Sequence, residues 1–451
     1  MSTTKRLVVH RRWSGDFPVL DHAEGVYLYD TTGKRYIDGS GGSSVVINLG
    51  HGNKVVAEAL YQQALKAAFS PAHVFANQPA EQLGEMVAAL APGELKDNCR
   101  VWFTCTGTDA VDDAVRLARQ FAVVSGQPTR QVVIGRWQGF HGNNIAVAGF
   151  SGHTFRRATY LPMFVNSPHI PPAYCYRCPF EKTYPACDLL CARFLEKEIR
   201  QQGAENVLAF IAEPVVGAAL GAVPAPDGYF QIIREICDKY GVMFIADEVM
   251  TAWGRTGTMW GVEHWGVSPD IIATAKGISS GYTPLAAMLA REEIWAQLEK
   301  KNSPFRAGHT YNSNPASCAC GVAVLTYLQE HNLVARSKEM GAYFLKKLET
   351  LLEHRIVGDV RGRGLMLGLE LVKDKKTKAP FDPAMKMSVR LEDETLRRGL
   401  VTFSCTGCVD GVAGDMILLA PPFVITREQI DECVSILHTS IAVMETGIKD
   451  T

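Results

Sequence analysis

Residues 242–278 read VMFIADEVMTAWGRTGTMWGVEHWGVSPDIIATAKGI, and this stretch decides the fold. It opens on an apolar run, Val242 to Ala246, that ends in Asp247 and Glu248. It closes on a second run, Ile271 to Thr274, followed at once by Ala275, Lys276 and Gly277. Both runs are short and lack polar alternation, which is how strands buried on both faces read. Phe230 to Tyr240 precedes them with helical spacing and is closed by Gly241, the usual residue past a helix end.

The same alternation extends outward in both directions. Val101–Thr104, Val132–Ile134, Val207–Ala212 and Leu285–Leu289 are further short apolar runs. Between the first two, apolar residues at 110, 111, 114, 115, 118 and 121 form a helical stripe. Strands separated by helices predict an α/β fold whose central sheet is open and mostly parallel, with helices on both faces. Residues 24–39 read as a hairpin turning at Thr32-Gly33, and 53–68 as a helix. Beyond about residue 315 a long helical stretch (316–354), strands near 365–371 and 416–420, and a last helix from about 427 predict a smaller α+β domain. The expected division is 1–60 as the N-terminal segment of the small domain, 61–315 as the large domain, and 316–451 as the C-terminal part of the small domain. No Pro/Gly/Ser linker marks the boundary, so the two should be tightly docked.

The chain has 451 residues, 47% of them hydrophobic, and a formal net charge of −1. That composition builds a large core and argues against nucleic-acid or membrane-surface partners. The N-terminus has basic clusters but no apolar segment of signal-peptide type, and no run of about 18 apolar residues predicts a membrane span. Twelve cysteines in this length do not make a disulfide scaffold, so a reducing, cytoplasmic setting is expected.

In an open α/β sheet, ligands sit outside the carboxyl ends of the strands. Asp247 ends one run, Glu213 ends Val207–Ala212, Lys276 follows Ile271–Thr274, and Thr106-Gly107-Thr108 links a strand to a helix. Helix-start amides and the Thr108 hydroxyl suit a phosphate. A buried carboxylate such as Asp247 keeps a pyridine nitrogen protonated. A lysine of lowered pKa forms an imine and then carries a proton. Phe140, in Gly-Phe-His-Gly, is an aromatic ring available to stack on the pyridine.

With these motifs the chain resembles the class III aminotransferases, of the fold-type-I pyridoxal-phosphate superfamily, from about residue 17 to 440. The ADEV, GRTG, PDI and AKG order within 213–289 is the most specific part. Supporting pieces are IDGSGGSSVVINLGHG, TGTDAVDDAVRLAR, GFHG, GHTYNSNPASCA, VRGRGLMLGLELV and LAPPFVIT. The resemblance implies pyridoxal 5'-phosphate as cofactor, Lys276 as its Schiff-base lysine and Asp247 as the partner of its ring nitrogen. It implies Val249 and Phe140 on the two ring faces, Thr106, Gly107 and Thr108 on the phosphate, and Glu213 beside the cofactor and the substrate. His141 would either polarise the phenolic oxygen side or be structural. Thr310 would come from the second subunit of a homodimer with shared active sites. The implied reaction moves an amino group from an ω-amino acid or amine to pyruvate or 2-oxoglutarate by a ping-pong cycle. Racemases, aminomutases and a decarboxylating transaminase share the scaffold and form the alternative.

Three positions depart from the family pattern. The usual Ser-Gly-Ser-Glu-Ala-Asn is Thr106-Gly107-Thr108-Asp109-Ala110-Val111, so no polar role is expected at 111. Val216 stands where a glutamine is frequent. Residues 404–422 hold no arginine, although many pyruvate-dependent members grip a carboxylate from there. Arg156, Arg157 and Arg363 are the substitutes weighed, with surface or structural roles favoured for each. Expected pocket walls are Trp13, Ser43, Ser44, Phe75 and parts of 404–412. Cys175, Cys178, Cys187 and Cys191 have the C-x2-C-x8-C-x3-C spacing of a zinc site, but free or packing thiols are the preferred reading and no metal is assigned.

Overall fold

A computed structural model describes residues 8–10, 17–165 and 167–448. Trp13 lies outside the described residues. The large sheet has seven strands in the order Cys99–Thr104, Ala286–Arg291, Ile271–Thr274, Met243–Asp247, Val207–Ala212, Val132–Arg136 and His169–Ile170. Ala286–Arg291 runs antiparallel to both its neighbours, and the remaining pairs are parallel. The sheet is therefore mostly parallel, as the apolar runs predict. Val207–Ala212 and Ile271–Thr274 are buried at every residue, which explains their lack of alternation. The two-residue strand His169–Ile170 has no sequence signal of its own.

Helix Gly107–Val124 packs its stripe of Ala110, Val111, Ala114, Leu117 and Ala118 on one sheet face. Helices Leu190–Gln202 and Tyr229–Tyr240 contribute Leu195, Ile199, Phe230 and Ile233 to the core on the other face. Gly241 closes the second of these in the left-handed region at φ 61°, which it adopts without a Cβ penalty.

A second core gathers Val26, Ile37, Leu49 and Val56 with Phe344, Leu369, Leu400, Leu419 and Leu437. The two ends of the chain thus share one apolar interior. Strand Arg35–Asp38 also pairs in parallel with Leu400–Val401. A separate four-stranded antiparallel sheet holds Val357–Arg363, Met366–Leu371, Ala413–Leu419 and Phe403–Val409. Residues 60 and 61 are consecutive within one helix, Lys54–Lys66. The single helical stretch expected over 316–354 is instead two helices, Pro315–Glu330 and Leu333–Leu348. They break at Asn332, which takes a left-handed conformation (φ 49°). The strand Phe403–Val409 was not expected either.

Arg255, from the GRTG motif, is buried and docks these parts together. It donates to the carbonyls of Leu365, Pro421 and Ile47 and to the side-chain oxygen of Asn48. Asn48 in turn donates to the Trp253 carbonyl. Among the described residues no helix is long and apolar enough to cross a membrane.

Candidate active site

Strand register brings the chemical groups to one rim. Asp247 ends its strand opposite Ala273, and Ala212, just before Glu213, pairs with Ala246. Asp247, Ala275-Lys276 and Glu213 therefore emerge at the carboxyl ends of three adjacent strands. Side chains alternate along a strand, and Glu248 leaves on the other side. There it accepts hydrogen bonds from the amides of Gly261 and Val262 (2.9 and 2.7 Å) and from Thr251. Burial pushes its carboxyl up to about 7. Glu248 shapes the 261–265 turn, and the rim carboxylate is Asp247.

Asp247 is 3% exposed and held from two sides. Its Oδ1 accepts from the Val249 amide at 3.0 Å, and its Oδ2 meets His141 Nδ1 at 2.7 Å. His141 is buried behind the carboxylate. Through that contact His141 orients Asp247. Burial opposes protonation of His141, but the Asp247 bond and the Glu213 charge outweigh it and raise its pKa. Glu213 is also raised, first by burial, with His141 and Arg136 opposing. Its Oε1 accepts from the Phe140 amide at 3.1 Å. Arg136, which ends its own apolar strand, donates to the Glu213 carbonyl at 2.6 Å. The sequence signal for Arg136 is the same as for Glu213, a charge closing a buried run.

Lys276 has a left-handed backbone, φ 51°, a strained conformation for a residue with a Cβ. The next residue has no room for a side chain, because a Cβ on Gly277 would lie 2.4 Å from the Asn48 amide nitrogen. The ammonium is desolvated, and burial pulls it down to about 8 although Asp247 opposes. About one lysine in ten is then neutral at pH 7, against fewer than one in a thousand for an ordinary lysine.

The Thr106–Thr108 turn is a helix N-terminus with a full capping box. The Asp109 amide donates to Thr106 Oγ1 (3.2 Å), and the Thr106 amide and hydroxyl donate to Asp109 Oδ2 (3.1 and 2.8 Å). The shortened acid at 109 thus keeps a cap role. The amides of Gly107 and Thr108 precede the first intrahelical bond, which runs from Ala110 to the Thr106 carbonyl. A Cβ on Gly107 would stand 2.8 Å from Val249 and 3.5 Å from Ala275, and one on Gly142 would stand 2.7 Å from Thr108 Oγ1. Glycine at both positions lets the turn approach Val249 and the Gly-Phe-His-Gly loop approach Thr108 closely.

Other expected residues lie as follows. Val111 is fully buried among apolar neighbours and Val216 is 5% exposed, so neither offers a polar group. Thr310 is exposed, next to exposed Tyr311 on the 301–314 segment. Its neighbour His309 is tied to Asp113 of the Gly107–Val124 helix at 3.2 Å. A cavity of about 1330 Å³ is lined by Cys408, Val409 and Asp410 from the expected wall, along with Trp137 and Thr154. Ser43, Ser44 and Phe75 line neither this cavity nor a second one of about 320 Å³ beside Phe140. Arg157 is taken up by His169 (2.9 Å), and Arg363 by Asp227 (3.2 Å). The four cysteines form no disulfide, and burial raises the Cys191 thiol to about 12. The described His, Cys and acidic side chains whose ligand atoms gather within 4.8 Å of one another are Glu353, His354 and His438, remote from this rim.

The donor set fits pyridoxal phosphate. The helix-start amides of Gly107 and Thr108, the doubly anchored carboxylate of Asp247 and a lysine of lowered pKa stand on one rim. The comparisons with known proteins agree in kind. The family model described as "Aminotransferase class-III" matches residues 10–441. The chain is 35% identical to an uncharacterized aminotransferase of Bacillus subtilis, YodT, over 97% of each chain. It is 35% identical to the diaminobutyrate–2-oxoglutarate transaminase of Halomonas elongata, over 93% of this chain and 90% of that one. A solved amine transaminase from an uncultivated Pseudomonas species, in the PLP-bound form, superposes with a TM-score of 0.91 at 32% identity, over 98% of this chain and 100% of the other.

Proposed function

We infer, from a chain that belongs to the class III aminotransferases, that Lys276 is its reacting lysine and that it transfers an amino group from an ω-amino acid or amine to a keto acid. The family's enzymes use pyridoxal phosphate. When bound, that group supplies the carbonyl that takes up the amine and the electron sink that stabilises negative charge at the donor carbon. The observation that carries the reading is Lys276 itself, strained, desolvated and lowered to about 8 beside the anchored carboxylate of Asp247.

The chain's residues divide the work. The amides of Gly107 and Thr108 and the Thr108 hydroxyl bind the phosphate. Asp247, fixed by His141 and the Val249 amide, pairs with the protonated ring nitrogen. Val249 and Phe140 enclose the ring and exclude water from its faces. Lys276 Nζ would take the proton from the carbon that bears the amino group and return it to the carbon on the far side of the nitrogen, which a near-neutral lysine can do in both directions. Glu213 stands at the substrate side, anchored through the Phe140 amide. A keto acid, pyruvate or 2-oxoglutarate, then takes the amino group in a second half-reaction. Thr310 completes the phosphate site of a second copy. Its exposure, and that of its neighbour Tyr311 and of Phe69 packed on Tyr311, supports a homodimer with shared sites.

The test is a panel of amine and ω-amino-acid donors presented to the holoenzyme with pyruvate or 2-oxoglutarate. Stoichiometric keto product and aminated acceptor are expected. Exchange of the donor's Cα hydrogen with loss of optical activity and no keto product would overturn the transaminase reading.

A further inference from the structure

Outside the reaction rim, Glu353, His354 and His438 bring three ligand atoms within 4.8 Å of one another. Cys175, Cys178, Cys187 and Cys191, which have the spacing of a zinc site, gather no three sulfurs that closely. The two histidines are 84 positions apart in the chain and meet through the fold. His354 follows the turn Glu349–Glu353, and His438 sits in the last helix, Arg427–Thr446. Leu351 of the turn and Leu437 and Ile441 of the helix share the second core, which sets the two elements side by side.

The hydrogen bonds around the two rings fix which nitrogens carry protons. His354 Nδ1 lies 3.1 Å from Glu445 Oε2. An ionised carboxylate only accepts, so Nδ1 donates and Nε2 is bare. The Glu445 carboxylate is itself held, since its Oε1 accepts from the Ile356 amide at 3.1 Å. His438 Nε2 lies 2.9 Å from Thr350 Oγ1. That hydroxyl gives its own proton to the Lys347 carbonyl at 2.7 Å. It therefore accepts from Nε2, and His438 Nδ1 is bare. The two bare nitrogens face each other at 3.0 Å. Lone pairs at that distance repel unless a cation joins them. Glu353 Oε1, 3.4 Å from His438 Nδ1, adds a negative charge to the pair. Lys375 and Arg355, the cations nearby, donate to main-chain carbonyls of Leu352 and His354 and of Glu445 and Ile448.

We propose that His354 Nε2, His438 Nδ1 and the Glu353 carboxylate form a binding site for a divalent cation of the zinc type, which clasps the last helix to the turn Glu349–Glu353. Bonds of about 2.0–2.1 Å at tetrahedral angles place neighbouring ligand atoms about 3.3 Å apart. The separations of 3.0 and 3.4 Å match that spacing. Two imidazoles and a carboxylate are a zinc donor set, with a water in the fourth position. A carboxylate or hydroxyl on the outer nitrogen of each ring is the arrangement that orients metal-bound histidines, and Glu445 and Thr350 supply it here. Glu353 is exposed, so the cation reaches the site from solvent.

The experiment takes tag-free holoenzyme, strips it of metal with a chelator and titrates it with zinc by calorimetry. Wild type should bind one zinc per chain that His438→Gln does not. At about 100 times Kd that zinc should raise the melting temperature by about 2–5 °C. Glu445→Gln, which alters only an orienting partner, should weaken zinc by about 10- to 100-fold. Glu353→Gln changes an exposed residue, so the fold is kept and zinc should weaken by at least about tenfold. Circular dichroism of the metal-free variants should match wild type. Zinc bound as tightly by His438→Gln and Glu353→Gln as by wild type would place it elsewhere, at thiols for instance, and overturn the site. Failure of wild type to bind zinc would mean that a shared proton joins the two rings, and would overturn it equally.

Discussion

At the scale of single residues, Lys276 shows how environment makes a reagent. Its neighbours supply burial, which disfavours the ammonium, and Asp247, which favours it; burial wins and leaves a pKa of about 8. Below that value most of the amine is protonated and cannot attack a carbonyl. Capture of pyridoxal phosphate by the cofactor-free protein should therefore speed up about tenfold per pH unit up to about 8 and level off above, followed by the visible band of the bound cofactor. A rate that kept climbing to pH 10 would mean an ordinary lysine. Lys276→Ala should lose turnover while keeping its circular dichroism and melting temperature; steady-state activity in that variant would remove Lys276 from the mechanism. Lys276 stood out in the sequence through the ADEV and AKG motifs of the family resemblance, since a lysine near the end of an apolar run is by itself ordinary. The role of His141 did not, because its contact with Asp247 spans 106 positions of chain.

At the scale of elements, the helix Gly107–Val124 ties the proposed phosphate site to packing. Its capping box was half readable, since Thr106 and Asp109 have the right spacing. The need for Gly107 comes from Val249 on another strand connection, 2.8 Å from where a Cβ would go. Gly107→Ala should force Val249 to shift, at about 1–3 kcal/mol of overpacking. We expect weaker retention of pyridoxal phosphate on dialysis with the fold intact. Unchanged retention would mean that Val249 yields freely. The same contact logic explains Val111, whose family counterpart is polar, because here the position points into the apolar face of the helix.

At the scale of the whole molecule, the fold is that of pyridoxal-phosphate-dependent transaminases, and its two cores are pinned by one buried cation. Arg255 crosses from the large sheet's connections to Ile47, Asn48, Leu365 and Pro421. Arg255→Met would strand those acceptors without a donor. A loss of at least about 3 kcal/mol is expected in urea unfolding of the cofactor-free protein, with Lys276 disturbed as well through Asn48 and Gly277. A change below about 1 kcal/mol would mean that the lobes dock by apolar contact alone. The GRTG motif was visible in the sequence as a family mark, but its physical task is apparent only once residues 47, 255, 365 and 421 meet.

The sequence by itself determined the sheet's parallel strands and the rim on which Asp247, Glu213 and Lys276 stand. It could do so because buried strands and the charges that end them are local patterns. Only the tertiary structure decided that Ala286–Arg291 runs antiparallel, that Glu248 turns away from the rim, that His141 backs Asp247, and that Arg156 rather than Arg157 or Arg363 borders Phe140. Each of these depends on which distant segments touch, and residue spacing carries no record of that.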